Sequence, residues 1–188
     1  SSTAIGHSAL EAQNFTTTTT SYNVAVGKNC GAAITTGVQN TLVGYASGVK
    51  LIDADYNVAM GTNALASDTY GSKSTAIGTQ ALNTQDFTTA TDSFNTAVGY
   101  QAGLSVTTGA ENTFVGALAG DALTDSARNV HVGYKAGSAV STGDSNTAIG
   151  WQALMTEDAH SNNTAIGASA LQTQDAGAHA YNTAVGFE

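Results

Sequence analysis

The sequence predicts an all-β protein, a parallel β-roll or β-solenoid of about 17-residue coils. Three observations lead there: an eleven-fold internal repeat, a glycine fixed in every copy, and the exchange of one large apolar residue between two sites. The cleanest copies are Asn95-Thr-Ala-Val-Gly-Tyr-Gln-Ala-Gly103 and Asn146-Thr-Ala-Ile-Gly-Trp-Gln-Ala-Leu154. Their fifth position is glycine throughout, from Gly6, Gly27 and Gly44 to Gly150, Gly167 and Gly186, mostly 17 residues apart. Units this short cannot bury a core alone, so they must stack.

Each motif position has a physical reading. The first is Asn in nine copies and Ser in two, which suits a stacked amide ladder or a local turn. The second is Thr or Val and the fourth Val, Ile or Met, as in Thr41 with Val43 and Val58 with Met60. Residues two apart share one face of a strand, and β-branched side chains favour strands. This pair is therefore expected to face the core. Glycine then permits a turn or a close backbone approach.

The ninth position is Gly in five copies (Gly31, Gly48, Gly103, Gly120, Gly137) and Leu in five others (Leu10, Leu65, Leu82, Leu154, Leu171). After Gly, the residue three further on is aliphatic: Ile34, Leu51, Val106, Leu123 or Val140. After Leu it is polar: Gln13, Asp68, Gln85, Glu157 or Gln174. Each coil thus supplies one large filler from either of two sites, as a close-packed stack requires. Asp68→Asn is expected to be nearly neutral on this reading.

The third position reads Ala4, Ala25, Leu42, Ala59, Ala76, Ala97, Phe114, His131, Ala148, Ala165 and Ala184. Alternating away from the expected core pair, this uncharged column is the expected contact between chains, with Leu42, Ala97, Phe114 and His131 near a shared axis.

Residues 1–72 align without gaps on residues 73–144, a longer duplication within one repeat array spanning 1–188. Two intervals are four residues longer and carry Phe15 to Tyr22 and Phe87 to Phe94; a third irregular stretch runs from Gln172 to Tyr181. Loops that break a repeat are natural contact sites, so Phe15, Thr18, Tyr22, Phe87, Thr91 and Phe94 are candidate receptor contacts. Trp151, the one tryptophan, joins them because exposed aromatic rings stack on sugars.

The net charge of −9 rests on fourteen acids and five bases, and thirteen of the acids lie between the nine-residue motifs. They mark solvated turns. Lys28, Lys50, Lys73, Arg128 and Lys135 form no stripe for a phosphate backbone, so no nucleic-acid partner is expected. No apolar run reaches membrane-spanning length, and no membrane insertion is expected. Cys30 takes a slot that is usually Ala, which suits a small buried filler. His7, His131, His160 and His179 have no zinc-ligand or general-base spacing, and the acids form no pair suited to glycoside hydrolysis. No enzyme activity, metal or cofactor is expected. The first residue is Ser and the last motif stops at Phe187-Glu188, so the chain is expected to be a fragment of a longer one.

The core Asn-Thr-Ala-Val-Gly or Ser-Thr-Ala-Ile-Gly, followed by x-x-Ala, resembles the head repeats of trimeric autotransporter adhesins. Those heads form a left-handed parallel β-roll with three chains side by side. The 17-residue period and the run Asn95 to Gly120 are more similar to repeat regions of tailed-phage tail fibres. The resemblance implies a structural segment of a homotrimeric virion fibre that attaches to a host surface receptor, glycans among the candidates. The alternative it implies is the head domain of a bacterial trimeric adhesin at the cell surface. An ice-binding solenoid is a third reading, disfavoured here because Val24, Val58 and Val130 alternate with Thr at the second position, which suggests burial.

Overall fold

In the computed structural model, residues 1–15, 20–156, 159–173 and 181–188 are described. Eleven three-residue strands form one parallel sheet, and all coincide with motif positions two to four. They are β1 (Thr3–Ile5), β2 (Val24–Val26), β3 (Thr41–Val43), β4 (Val58–Met60), β6 (Thr75–Ile77) and β8 (Thr96–Val98). The series continues through β9 (Thr113–Val115), β10 (Val130–Val132), β11 (Thr147–Ile149), β12 (Thr164–Ile166) and β13 (Thr183–Val185). A second sheet pairs β5 (Gly71–Ser72) with β7 (Thr91–Asp92), also in parallel. Pairing is in register, with Val98 opposite Val115 and Val115 opposite Val132. The protein is a parallel β-solenoid of some ten turns, and no helix occurs among the described residues.

Coil-to-coil bonding continues around the corners. Asn29 N donates to His7 O at 2.9 Å, Gly31 N to Ser47 O at 3.0 Å, and Thr35 N to Ile52 O at 3.0 Å. The corners need left-handed backbone. Among the described residues, all 26 non-glycine residues with positive φ sit just before the motif or at its seventh or ninth position, as with Tyr56 at 60° and Gln101 at 55°. A ninth-position Leu, such as Leu65 at 51°, accepts about 1–2 kcal/mol of backbone strain that Gly avoids. That Leu is fully buried, so core volume offsets the strain.

The filler exchange holds in three dimensions. Ile34, Leu51, Val106, Leu123 and Val140 are fully buried after Gly, as are Leu65, Leu82 and Leu154 in the other coils. Cys30 is also buried, and burial pushes its thiol up to about 11. The polar residues that follow Leu are not all solvated, however. Asp68 and Gln85 are fully buried and hydrogen-bonded.

The expected inside and outside of the strands are reversed. Third-position residues from Ala25 to Ala165 are the core, with Leu42, Ala97, Phe114 and His131 at 0% exposure in a single chain. They cannot be an inter-chain column. Positions two and four, expected to face the core, point outward and are half-buried or exposed. The cause is the small cross-section of the coil, where an Ala facing Ala or Leu fills the space. Where the ninth position is Gly, larger third-position groups take the volume: a Cβ on Gly103 would lie 2.8 Å from the Phe114 ring.

First-position residues line the same interior as an amide ladder. Asn40 N donates to Asn23 Oδ1 at 2.8 Å, Asn57 N to Asn40 Oδ1 at 2.9 Å, and Asn146 N to Asn129 Oδ1 at 2.8 Å. Their Nδ2 groups satisfy corner carbonyls, as Asn95 does for Gly109 O at 2.7 Å. These bonds keep buried backbone from being orphaned. Ser74 lacks the amide, and Gln85 reaches in to replace it. Gln85 Nε2 donates to Ser74 Oγ at 2.8 Å, and Gln85 Oε1 accepts from Asn95 Nδ2 at 2.9 Å.

Candidate functional site

The alternation that buries positions one and three turns positions two and four outward. The residues just before the motif and at its sixth position flank these strands at their two ends. Every one of the sixteen large apolar side chains exposed among the described residues falls at position four or in these two border columns. Position four contributes Ile5, Met60, Ile77, Val115, Ile149, Ile166 and Val185. One border holds Tyr22, Tyr56, Phe94 and Tyr181; the other holds Tyr45, Tyr100, Tyr134, Trp151 and Phe187.

The strand face and its two flanking columns run the length of the array, about 48 Å over ten strand spacings. Charge is sparse on this side: Lys28, Lys73, Glu111 and Arg128 lie in the borders, and most acids lie in the connections elsewhere. Lys73 Nζ pairs with Asp92 at 2.5 Å and sits 5.2 Å from the Phe94 ring centre, so this cation is already engaged. Lys135 Nζ lies 5.6 Å from the Tyr134 ring centre in the same way.

The candidate receptor contacts separate into three groups. Tyr22, Phe94 and Trp151 are about half exposed, but they belong to the borders of the sheet face rather than to projecting loops. Phe87 is only 6% exposed, which removes it as a contact. Its N–H donates to Asp68 Oδ1 at 3.1 Å, drawing the longer connection inward. Thr91 is half-buried in β7, held by pairing with Gly71, and Phe15 is half-buried too. Thr18, and most of the stretch from Gln172 to Tyr181, lie outside the described residues.

Asp68 anchors this arrangement. Its Oδ1 also accepts from Gly71 N at 2.9 Å, and its Oδ2 accepts from Gln85 Nε2 at 2.5 Å. Burial raises its carboxyl above the ordinary range, while these three neutral donors act the other way. Such a group is suited to fastening a loop, since nothing places it where a substrate would reach. Among the described residues, no three His, Cys, Asp or Glu side chains cluster in a way that could hold a metal ion. No helix there is long and apolar enough to cross a membrane.

The outward face was missed in the sequence, yet a signal existed. The border columns share parity with positions two and four, and they hold Lys28, Lys73, Glu111 and Arg128. A core column would not contain four charges. No family model, curated protein or solved structure matches this chain.

Proposed function

We propose that this chain is a structural segment of a homotrimeric attachment fibre, in which the outward face of the sheet is covered by copies of the same chain. The observation that carries this reading is the confinement of all sixteen exposed large apolar groups to that face. A stable interface buries about 800 Å² per partner, and a strip about 48 Å long with exposed apolar groups along it has the extent for one. A second copy repeats at the same strand spacing, so one favourable contact recurs in every coil. The interface of this reading is thus the columns at positions two and four, in place of the buried third-position column.

The attachment role rests on the resemblance to tail-fibre and adhesin repeats, and the segment serves as a shaft in preference to a receptor tip. Support for the shaft comes from the tucked connection at Phe87 and Thr91, which leaves little of that longer coil to read a receptor. The fibre would act on the virion or at a cell surface, and the chain would carry no enzyme activity.

Sedimentation tests the assembly. The native chain should run as a trimer, and Ile149→Asp with Ile166→Asp should give a folded monomer with an unchanged circular dichroism spectrum. Both side chains are 37% exposed in the single chain, so the charges harm the interface more than the coil. A native chain that remains monomeric at about 50 µM would reject the proposal, since an interface of this size normally associates well below that. Attachment is a separate question, answered by whether the labelled segment binds bacterial cells without its flanking domains; a shaft should not.

The ice-binding reading gains one observation, because the Thr rank at position two is half exposed rather than buried. The aromatic borders rise on both sides of it and interrupt the plane that ice requires. Absence of thermal hysteresis in the native segment is the expected result.

A further inference from the structure

His131 stands out among the buried groups. It occupies the third position of β10, between Phe114 of β9 and Ala148 of β11 in register, at 0% exposure. Its ring lies 5.6 Å from the Phe114 ring, tilted at 53°. The space it fills is opened by glycine corners: a Cβ on Gly120 would sit 3.0 Å from its Nδ1, and Gly137 lies closer still. Neither ring nitrogen has a hydrogen-bond partner. Leu42 fills the corresponding volume beside Gly31 and Gly48 with no polar atom. In the same role, histidine leaves two polar atoms unsatisfied, which typically destabilises by about 1–3 kcal/mol.

We propose that the His131 layer is an acid-sensitive weak point of the roll, at which the coils around β10 open on acidification before the rest of the array. An imidazolium here would be a desolvated cation with no acceptor for either N–H. Phe114, Ala148, Gly120 and Gly137, which surround the ring, carry no titratable group. The nearest along the packed segments are Asp121, beside Gly120, and Lys135, two residues before Gly137, and both are half-exposed. Burial alone pushes the His131 imidazole down to about 4.

The sign follows from proton uptake. An unfolded chain protonates this histidine near its ordinary 6.5, whereas the folded chain resists until about 4. Between those values the unfolded state binds the extra proton, so stability falls as pH falls; above about 6.5 the effect is absent. Asp68 and Asp121 act in the opposite direction, since their raised carboxyls favour the neutral form in the fold. Assembly adds to the consequence. Val130 and Val132 of the same strand lie on the outward face, so opening β10 also breaks that face.

The test compares the native chain with His131→Leu and His131→Phe by urea unfolding and amide exchange from pH 7.5 to 4.5. Both variants keep Asp68, Asp121 and every other carboxylate, so differences between the curves isolate the histidine. Relative to the variants, the native unfolding constant should rise by up to about tenfold per pH unit below 6.5. Exchange should rise first in β9 to β11. Parallel pH profiles, with a constant offset, would mean ordinary packing and overturn the proposal. If neither variant folds, the ring signals of His131 in the native chain decide. A ring that stays neutral until the coil opens supports the weak point, and one that titrates near 6.5 in the folded chain refutes it.

Discussion

Gly99→Ala should unfold its region of the roll, destabilising it by more than about 3 kcal/mol. Gly99 has φ +145°, and a Cβ there would stand 2.5 Å from Gly116 O and 2.6 Å from Gly116 C. Those atoms are backbone in the next coil, fixed by pairing on both sides, so neither partner can yield. The same contact recurs along the axis, as between Gly44 and Gly61 O at 2.5 Å. Thr108→Ala, in an exposed connection, should stay within about 0.5 kcal/mol. Long arrays open locally, so amide exchange at β8 and β9 is a better measure than one melting temperature. Native-like protection there in Gly99→Ala would show that the coils can separate without cost, contrary to their bonding.

Leu123→Asp should be comparably severe, with a loss of more than about 4 kcal/mol. Leu123 is fully buried and is the large filler of a coil whose ninth position is Gly120. A carboxylate there removes the filler and buries a charge without the donors that surround Asp68. The contrast with Asp68 is instructive. Sequence alone suggests that Asp68→Asn is neutral, because that site is polar when Leu occupies position nine. The structure changes the expectation. Asn would direct an NH₂ group at Gln85 Nε2, and Gln85 cannot turn over without losing Asn95 Nδ2. A loss of about 1–3 kcal/mol is expected, softened by removal of a buried charge. Urea unfolding of both variants checks the order, and an Asp68→Asn chain as stable as the native one would refute the loop-fastening role.

The repeat made the architecture legible because each level of the sequence agrees with the others. Glycine spacing sets the coil, Thr-x-Val sets the strand, and the exchange between Leu65 and residues such as Ile34 sets the core volume. What the sequence did not settle is which side of each strand is inside. Period-two alternation divides residues into two faces but does not label them. Apolar character misleads when both faces are apolar, one because it is core and the other because it is exposed in a single chain. Ala97 and Phe114 were expected between chains, yet they fill the coil itself. One candidate loop residue departs from expectation for a different reason. Phe87 is drawn inward by Asp68, 19 residues earlier, a long-range contact that no local pattern encodes.

The bonds that join the coils have a mechanical meaning. They run from one turn to the next, nearly parallel to the long axis, as in Thr96 N to Asn112 O at 2.8 Å. Tension applied to the two ends of one chain therefore peels turns away in sequence, without shearing many bonds together. Each released 17-residue turn exchanges about 5 Å of stacked height for about 58 Å of extended chain, a step of about 53 Å. A 21-residue turn releases about 14 Å more. A single strand of this kind unspools under modest load, and side-by-side association is what would convert a stack of peelable rings into a cable.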